Sequence, residues 1–113
     1  MFTNFCTPIT FNAVVEITAL SKLQSINNND YLELKVRGVR RRMKAGERMY
    51  HYDNCLMEIW SSGAKYASEN MSTGDIVDVT GEIREASTRS GIVLRITKFD
   101  ILTPTEDEVE NYG

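Results

Sequence analysis

The fold is decided by residues 50–84, which read YHYDNCLMEIWSSGAKYASENMSTGDIVDVTGEIR. In residues 50–61 the apolar positions alternate with period two, which predicts a β-strand. In residues 62–71 the spacing becomes helical, which predicts one short helix with Ser62 as its N-cap. Residues 75–84 return to alternation and predict the next strand. The stretch therefore predicts a strand, a short helix and another strand in succession.

The flanking sequence supplies three more strands. Residues 13–20 and 31–39 alternate between apolar and polar positions, and so do residues 92–102, where a change of parity near residues 97–98 predicts a β-bulge. Residues 44–47 mark the tip of a long basic hairpin between strands 2 and 3. Three strands, one helix and two strands is the order of the OB fold. We therefore predict an all-β fold, a five-stranded OB-fold barrel of Greek-key topology, with one short helix between strands 3 and 4.

A chain of 113 residues has room for one hydrophobic core. We divide it into an apolar N-terminal extension (1–11), an OB-fold domain (12–103) and a short acidic C-terminal tail (104–113). No apolar run exceeds three residues, and the N-terminus lacks a basic region. The sequence thus predicts neither a membrane span nor a signal peptide. Two widely separated cysteines fit a reduced compartment, and a cytoplasmic location is expected.

Charge is distributed unevenly along the chain, although the net charge is only -3. Residues 31–65 contain eight lysines and arginines against four acids, whereas residues 104–113 contain four acids and no base. A basic centre followed by an acidic end indicates a site for a polyanion beside a solvated tail. The alternative is that both stretches are ordinary solvated surface.

Aromatic and basic residues share the predicted outward face of strands 2 and 3 and the hairpin that joins them. Exposed rings are suited to stacking with nucleic-acid bases, and lysine and arginine side chains are suited to binding phosphates. The alternative is that the tyrosines pack under the hairpin and Trp60 packs under a neighbouring subunit. The candidate residues are Tyr31, Lys35, Arg37, Arg40, Arg41, Arg42, Lys44, Arg48, Tyr50, Tyr52 and Trp60.

Catalytic patterns are not found in the sequence. His51, Asp53 and Cys55 alternate along one predicted strand, but this spacing is a poor match to structural zinc sites and lacks a fourth ligand. No nucleophile elbow and no Walker-type phosphate loop is found. We expect neither an enzyme nor a bound metal or cofactor.

Residues 56–84 resemble the signature of the bacterial and phage single-stranded DNA-binding proteins. In that family a strand ends in an aromatic residue and is followed by an alanine-rich helix, a glycine with an acidic or serine neighbour, a strand, and a glycine three residues before an arginine. Trp60, Gly74, Gly81 and Arg84 fall on those positions. The resemblance extends over about residues 12–102 and implies an OB fold that coats single-stranded DNA during replication, recombination or repair.

The resemblance also implies roles for individual residues and an oligomeric state. Trp60 would stack a base, Lys35 and Arg37 would lie on the strand that follows the DNA, and Arg84 would lead into the loop between strands 4 and 5. Homodimers or homotetramers are expected. Asn54 departs from the pattern, because the family usually has an aromatic residue there, and Tyr50 or Tyr52 would substitute for it.

The acidic C-terminal tail and the exact function are left open by the sequence. The short tail without the family's long linker suggests a phage or mobile-element version of the protein. The tail could dock replication proteins, compete with DNA for the basic hairpin, or only solubilise the chain. The main rival function is an OB-fold interaction module, an accessory of a replication or recombination complex that binds nucleic acid weakly. An enzyme or an RNA-specific module of the anticodon-binding type is the third class.

Overall fold

The structure is a computed structural model that describes residues 5–86 and 90–103. It is an all-β fold with one short helix, as predicted. The acidic segment 104–113 lies outside the described residues, so the prediction of a tail stays a prediction. The elements are β1 (Ile9–Leu20), β2 (Gln24–Ile26), β3 (Asn29–Lys44), β4 (Glu47–Trp60), α1 (Ser61–Asn70), β5 (Ile76–Glu85) and β6 (Ile92–Ile101).

The strands form one sheet in the order β1-β5-β6-β4-β3-β2, and β1 also pairs with β3. The pairings therefore close on themselves. Closure depends on β1, which pairs with β5 from Ile9 to Glu16 and with β3 from Glu16 to Leu20. A register shift between Ile17 and Ala19 accompanies the second pairing. On the other side, β4 and β6 make a short parallel contact at Met57 and Glu58.

The structure has six strands rather than the predicted five, and the helix follows the fourth strand rather than the third. The short strand β2 folds back on the beginning of β3, so α1 follows the fourth strand rather than the third. The reversal is made by Asn27 and Asn28, which have φ angles of 51° and 67°. Two successive residues with positive φ are typical of the turn that joins tight hairpins, and asparagine tolerates them. Three residues are too few for alternation to reveal a strand in the sequence.

The hydrophobic core lies inside the ring and against the helix. The helix contributes Ala64 and Ala67, both fully buried, and their small side chains let its backbone lie close to the strands. The predicted cap at Ser62 was wrong, because Trp60 occupies the N-cap position and no side chain caps the helix. The main buried residues on the strands are Val15, Ile17, Leu32, Leu34, Val36, Met57, Ile59, Val77, Val79 and Ile96.

The predicted bulge near residues 97–98 is confirmed. Thr80 pairs with Lys98 but Gly81 pairs with Ile96, so Thr97 is the extra residue in β6. A bulge of this kind re-aims the side chains that follow it, which lets Ile96 and Phe99 both contribute to the core. Within the described residues, no helix is long and apolar enough to cross a lipid bilayer.

Gly81 provides a test of how closely β5 and β6 pack. A Cβ atom built at Gly81 would overlap the carbonyl oxygen of Arg95 and would lie 2.9 Å from the ring of Phe11. We expect Gly81→Ala to lower the free energy of unfolding by about 1–3 kcal/mol or more, because backbone cannot move aside as a side chain can. Urea denaturation measures the loss.

The matched control is Gly38→Ala, because a Cβ atom at Gly38 has no heavy atom within 4 Å. We expect this variant to stay within about 1 kcal/mol of the parent. Equal stability of the two variants would contradict the close approach of β5 and β6.

Candidate nucleic-acid interface

One uninterrupted pairing register between β3 and β4 determines which side chains share the outer face of these two strands. Directly opposed residues of an antiparallel pair share a face of the sheet. The pairs on this face, from the ring toward the hairpin tip, are Tyr31 with Trp60, Glu33 with Glu58, Lys35 with Leu56, Arg37 with Asn54, Val39 with Tyr52 and Arg41 with Tyr50.

Residues 38–53 form a hairpin that projects beyond the ring, and we call it the basic hairpin. The last contact of β3 with β1 is between Arg37 and Glu16, and beyond it β3 pairs with β4. The predicted tip is confirmed, since Ala45 and Gly46 have φ angles of 51° and 82° between Lys44 and Glu47. The hairpin cations are all exposed: Arg40, Arg41, Arg42, Lys44 and Arg48.

A groove of about 470 Å³ lies where the basic hairpin leaves the ring. We call it the hairpin groove. Its hairpin side carries Tyr50 and Tyr52, which are 50% and 60% exposed, and its opposite side carries Val14 from β1 and Ile76 from β5. Exposed apolar and aromatic side chains thus line a concave surface. This arrangement is typical of a ligand-binding site rather than of surface with no binding role. The remaining lining residues are Val15, Glu16, Arg37, Gly38, Val39 and Arg41.

Arg37 is already paired with neighbouring side chains of the protein. Its Nε donates to Oε1 of Glu16 at 3.2 Å, and its Cζ lies 4.7 Å from the centre of the Tyr52 ring. The hydrogen bond and the charge of Glu16 raise the pKa of Arg37 above its usual value. The guanidinium therefore orients the Tyr52 ring and has a carboxylate partner of its own, which makes it a poorer candidate for a phosphate contact than its neighbours.

Arg40 is also paired. Its Nε and a terminal nitrogen donate to the two oxygens of Asp53 at 2.7 and 3.1 Å, across the opposite face of the hairpin. In the described part of the chain, four hairpin cations have no carboxylate within ion-pair distance: Arg41, Arg42, Lys44 and Arg48. These four are the cations best placed to meet phosphates.

Tyr31 does not lie open to solvent. The prediction of an exposed Tyr31 was wrong, since only 3% of the residue is exposed. Its ring lies 4.7 Å from the Trp60 ring at an angle of 57°, and its hydroxyl donates to Glu33 at 3.0 Å. Trp60 is itself only partly exposed. The two aromatic groups on this face therefore differ, because the hairpin tyrosines are open whereas the Tyr31 and Trp60 pair is packed.

The sequence analysis did not predict the ion pair between Glu58 and Arg95. Alternation places Glu58 on the outward parity of β4, yet only 1% of it is exposed. Its Oε1 accepts hydrogen bonds from Trp60 Nε1 at 2.9 Å and from Arg95 Nε at 3.0 Å. Removing one member of such a buried pair typically costs about 3–5 kcal/mol, because the other charge is left without a partner. No local pattern reveals the pair, since Arg95 lies on β6 and reaches Glu58 through the parallel contact.

Two other predicted residues lie away from the hairpin groove. Lys35 is exposed on the same outer face, between the groove and Trp60. Arg84 lies near the far end of β5, 3.9 Å from Glu82, and lines a separate depression with Pro8. The structure thus brings together Arg37, Arg41, Tyr50 and Tyr52 but does not bring Arg84 to them.

No protein-family model and no curated protein matches the chain. Solved structures do match it. PriB from Ralstonia solanacearum has a TM-score of 0.69 and 10% identity over 87% of this chain and 100% of its own. The small single-stranded DNA-binding protein from Streptomyces coelicolor has a TM-score of 0.68 and 17% identity over 85% of this chain and 94% of its own. The fold is that of the single-stranded DNA-binding proteins.

The single-stranded DNA-binding protein from Thermus aquaticus fits the same description. It has a TM-score of 0.67 and 16% identity over 83% of this chain, which spans 49% of that longer protein. Identities of this size show a shared fold. They confirm at the level of the fold the resemblance that residues 56–84 indicated, and with it the OB-fold prediction.

Cys55 offers a chemical test of the base of the basic hairpin. Cys55 is an exposed residue, but partial desolvation of its sulfur raises the pKa of the thiol above the ordinary value. Since the thiolate is the nucleophile, we expect Cys55 to react with iodoacetamide more slowly at pH 8 than an unstructured peptide of the same local sequence. A Cys6→Ser variant isolates the signal, because the chain has two cysteines. A reaction as fast as that of the peptide would contradict the desolvated position of the thiol.

Proposed function

We propose that the chain is a non-catalytic protein that binds single-stranded DNA with little sequence preference and coats it during replication, recombination or repair. One observation carries the proposal. Two exposed tyrosines line a groove together with Arg41, which has no carboxylate partner among the described residues, at the root of a hairpin that presents further cations. The fold shared with PriB and with single-stranded DNA-binding proteins supports it.

The groove suggests how a strand would lie. Bases stacked on Tyr50 and Tyr52 would contribute about 1–3 kcal/mol each, and because every base has a π-face the contact tolerates any sequence. Val14 and Ile76 form an apolar wall opposite the rings. Glu16 lies in the same groove, where its charge is already paired with Arg37, so this ion pair offers no site for a phosphate. The backbone therefore runs along the cations of the basic hairpin, with the bases turned into the groove.

The strand would continue along the outer face toward Trp60. Tyr52 and Trp60 are eight residues apart on β4, which corresponds to about 26 Å at the rise of an extended strand. Lys35 lies between them and is exposed, so it can accompany a strand of several nucleotides. Trp60 would add a partly exposed ring at the far end. Arg84 would contact only a longer strand that turns toward β5.

A second candidate function is an interaction module within a replication or recombination complex. The fold shared with PriB from Ralstonia solanacearum and with the single-stranded DNA-binding proteins does not by itself decide between the two candidates. The two candidates differ in what they require. A coating protein needs tight binding to unstructured oligo-dT and poor binding to duplex of equal length. An interaction module needs neither.

The tyrosines are tested by removing their rings. Tyr50→Ala and Tyr52→Ala are each expected to weaken binding to fluorescein-labelled oligo-dT by about 5- to 150-fold, the equivalent of one stacked base. Tyr52→Phe should bind like the parent, because stacking needs the ring and not the hydroxyl. Fluorescence anisotropy at low salt measures the affinities.

The matched control is Tyr66→Ala, which removes a tyrosine of similar exposure (57%) from the helix, outside the groove. We expect it to leave affinity unchanged. Equal losses from Tyr66→Ala and Tyr52→Ala would place the contact elsewhere, and no binding of oligo-dT by the parent protein would refute the proposed function.

The cations are tested by the dependence of affinity on salt. If Arg41, Arg42, Lys44 and Arg48 each neutralise one phosphate, log affinity should fall with log salt at a slope of about -3. Arg41→Gln should reduce the magnitude of that slope by about 0.7. Lys65→Gln removes an exposed cation from the helix and should leave the slope unchanged. A parent slope near zero would exclude phosphate contacts by the basic hairpin.

A further inference from the structure

The environment of Trp60 is unusual for the outer face of a sheet. A nearly fully buried carboxylate, Glu58, receives both the indole N–H of Trp60 and the guanidinium of Arg95 on its Oε1. Its other oxygen, Oε2, is buried and has no hydrogen-bond partner among the described residues. The single oxygen Oε1 therefore links the only tryptophan of the chain to a cation on a different strand.

This arrangement removes the charge of Arg95 from the surface. The Arg95 side chain is 22% exposed, and its Nε lies 3.0 Å from the Glu58 carboxylate. A cation already paired with a carboxylate at this distance adds little net positive charge. A phosphate that met it would be only weakly neutralised and would release few of the cations condensed on the DNA. In this respect Arg95 differs from Arg41, which has no carboxylate partner in the described residues.

The same arrangement fixes the Trp60 ring. The Cζ of Arg95 lies 5.4 Å from the ring centre, and Tyr31 packs against the ring from 4.7 Å. The indole N–H is already donated to Glu58 and cannot read a base edge. Only the exposed part of the ring remains for a ligand, and contact with a ring surface does not distinguish one base from another.

We propose that Glu58 is a positioning residue that holds Trp60 as a fixed, charge-neutral contact for bases, and that Arg95 supports this contact without binding a phosphate. The inference rests on the proposed function, since it concerns how the far end of the same face meets single-stranded DNA. It divides that face into a cationic end, at the basic hairpin, and an end at Trp60 where the charges of Glu58 and Arg95 cancel.

The decisive experiment compares salt slopes for oligo-dT binding. Glu58→Gln keeps an oxygen that can accept the Trp60 N–H but removes the negative charge, so Arg95 gains a free charge. We expect the magnitude of the slope to rise by about 0.7. Arg95→Gln should keep the parent slope, whereas Arg41→Gln should lower it by about 0.7. A lower slope in Arg95→Gln, or an unchanged slope in Glu58→Gln, would overturn the proposal.

A measurement on the free protein separates this proposal from the proposed function. The chain has one tryptophan, so near-ultraviolet circular dichroism and acrylamide quenching report Trp60 alone. Glu58→Leu removes the acceptor, and we expect a weaker tryptophan band and faster quenching, while Glu58→Gln should keep both at the parent values. If Glu58→Leu does not fold, the Glu58→Gln spectra alone decide, since a changed tryptophan band there contradicts the retained hydrogen bond. Failure of the parent to bind DNA would refute the function and leave this spectroscopic result standing.

Discussion

The rest of the molecule depends on the pairing of β3 with β4. The register runs from Tyr31 opposite Trp60 to Lys44 opposite Glu47 without a break, and it decides which side chains share the outer face. A slip of one residue would turn every outward side chain inward and every core side chain outward. The inward leucine and valine side chains of β3 hold the register at the ring, and the tight turn at Ala45 and Gly46 holds it at the tip.

The outer face of β3 and β4 thus has a packed part near the ring and an open part on the basic hairpin. At the end of this face beside β6, Tyr31, Trp60 and Glu58 form a packed cluster closed by Arg95, although Lys35 stays exposed between that cluster and the hairpin. Beyond the last contact with β1, the same face is uncovered and its tyrosines stay open. The transition lies at the ion pair between Glu16 and Arg37, where the hairpin leaves the ring.

Periodicity in the sequence predicted the features that depend on a single strand or helix. It located the long strands, the alanine-rich helix, the hairpin tip and the bulge in β6, because each leaves a local pattern in the chain. It missed β2, whose three residues are too few to show alternation. It also placed Tyr31 in solvent, because alternation tells which residues share a face but not what covers that face. Both ion pairs on the outer face, Glu16 with Arg37 and Glu58 with Arg95, join residues far apart in sequence.

The basic hairpin has a consequence for how copies of the chain behave toward one another. Among the described residues, neither β3 beyond Arg37 nor β4 before Leu56 pairs with a strand other than its hairpin partner, so both outer edges present unpaired backbone groups. Long bare edges of this kind are templates for strand addition and aggregation. Arginine and lysine side chains crowd these edges, and their mutual repulsion keeps two hairpins apart. The positive charge that suits the hairpin to a polyanion is therefore also its protection against edge-to-edge pairing with another hairpin.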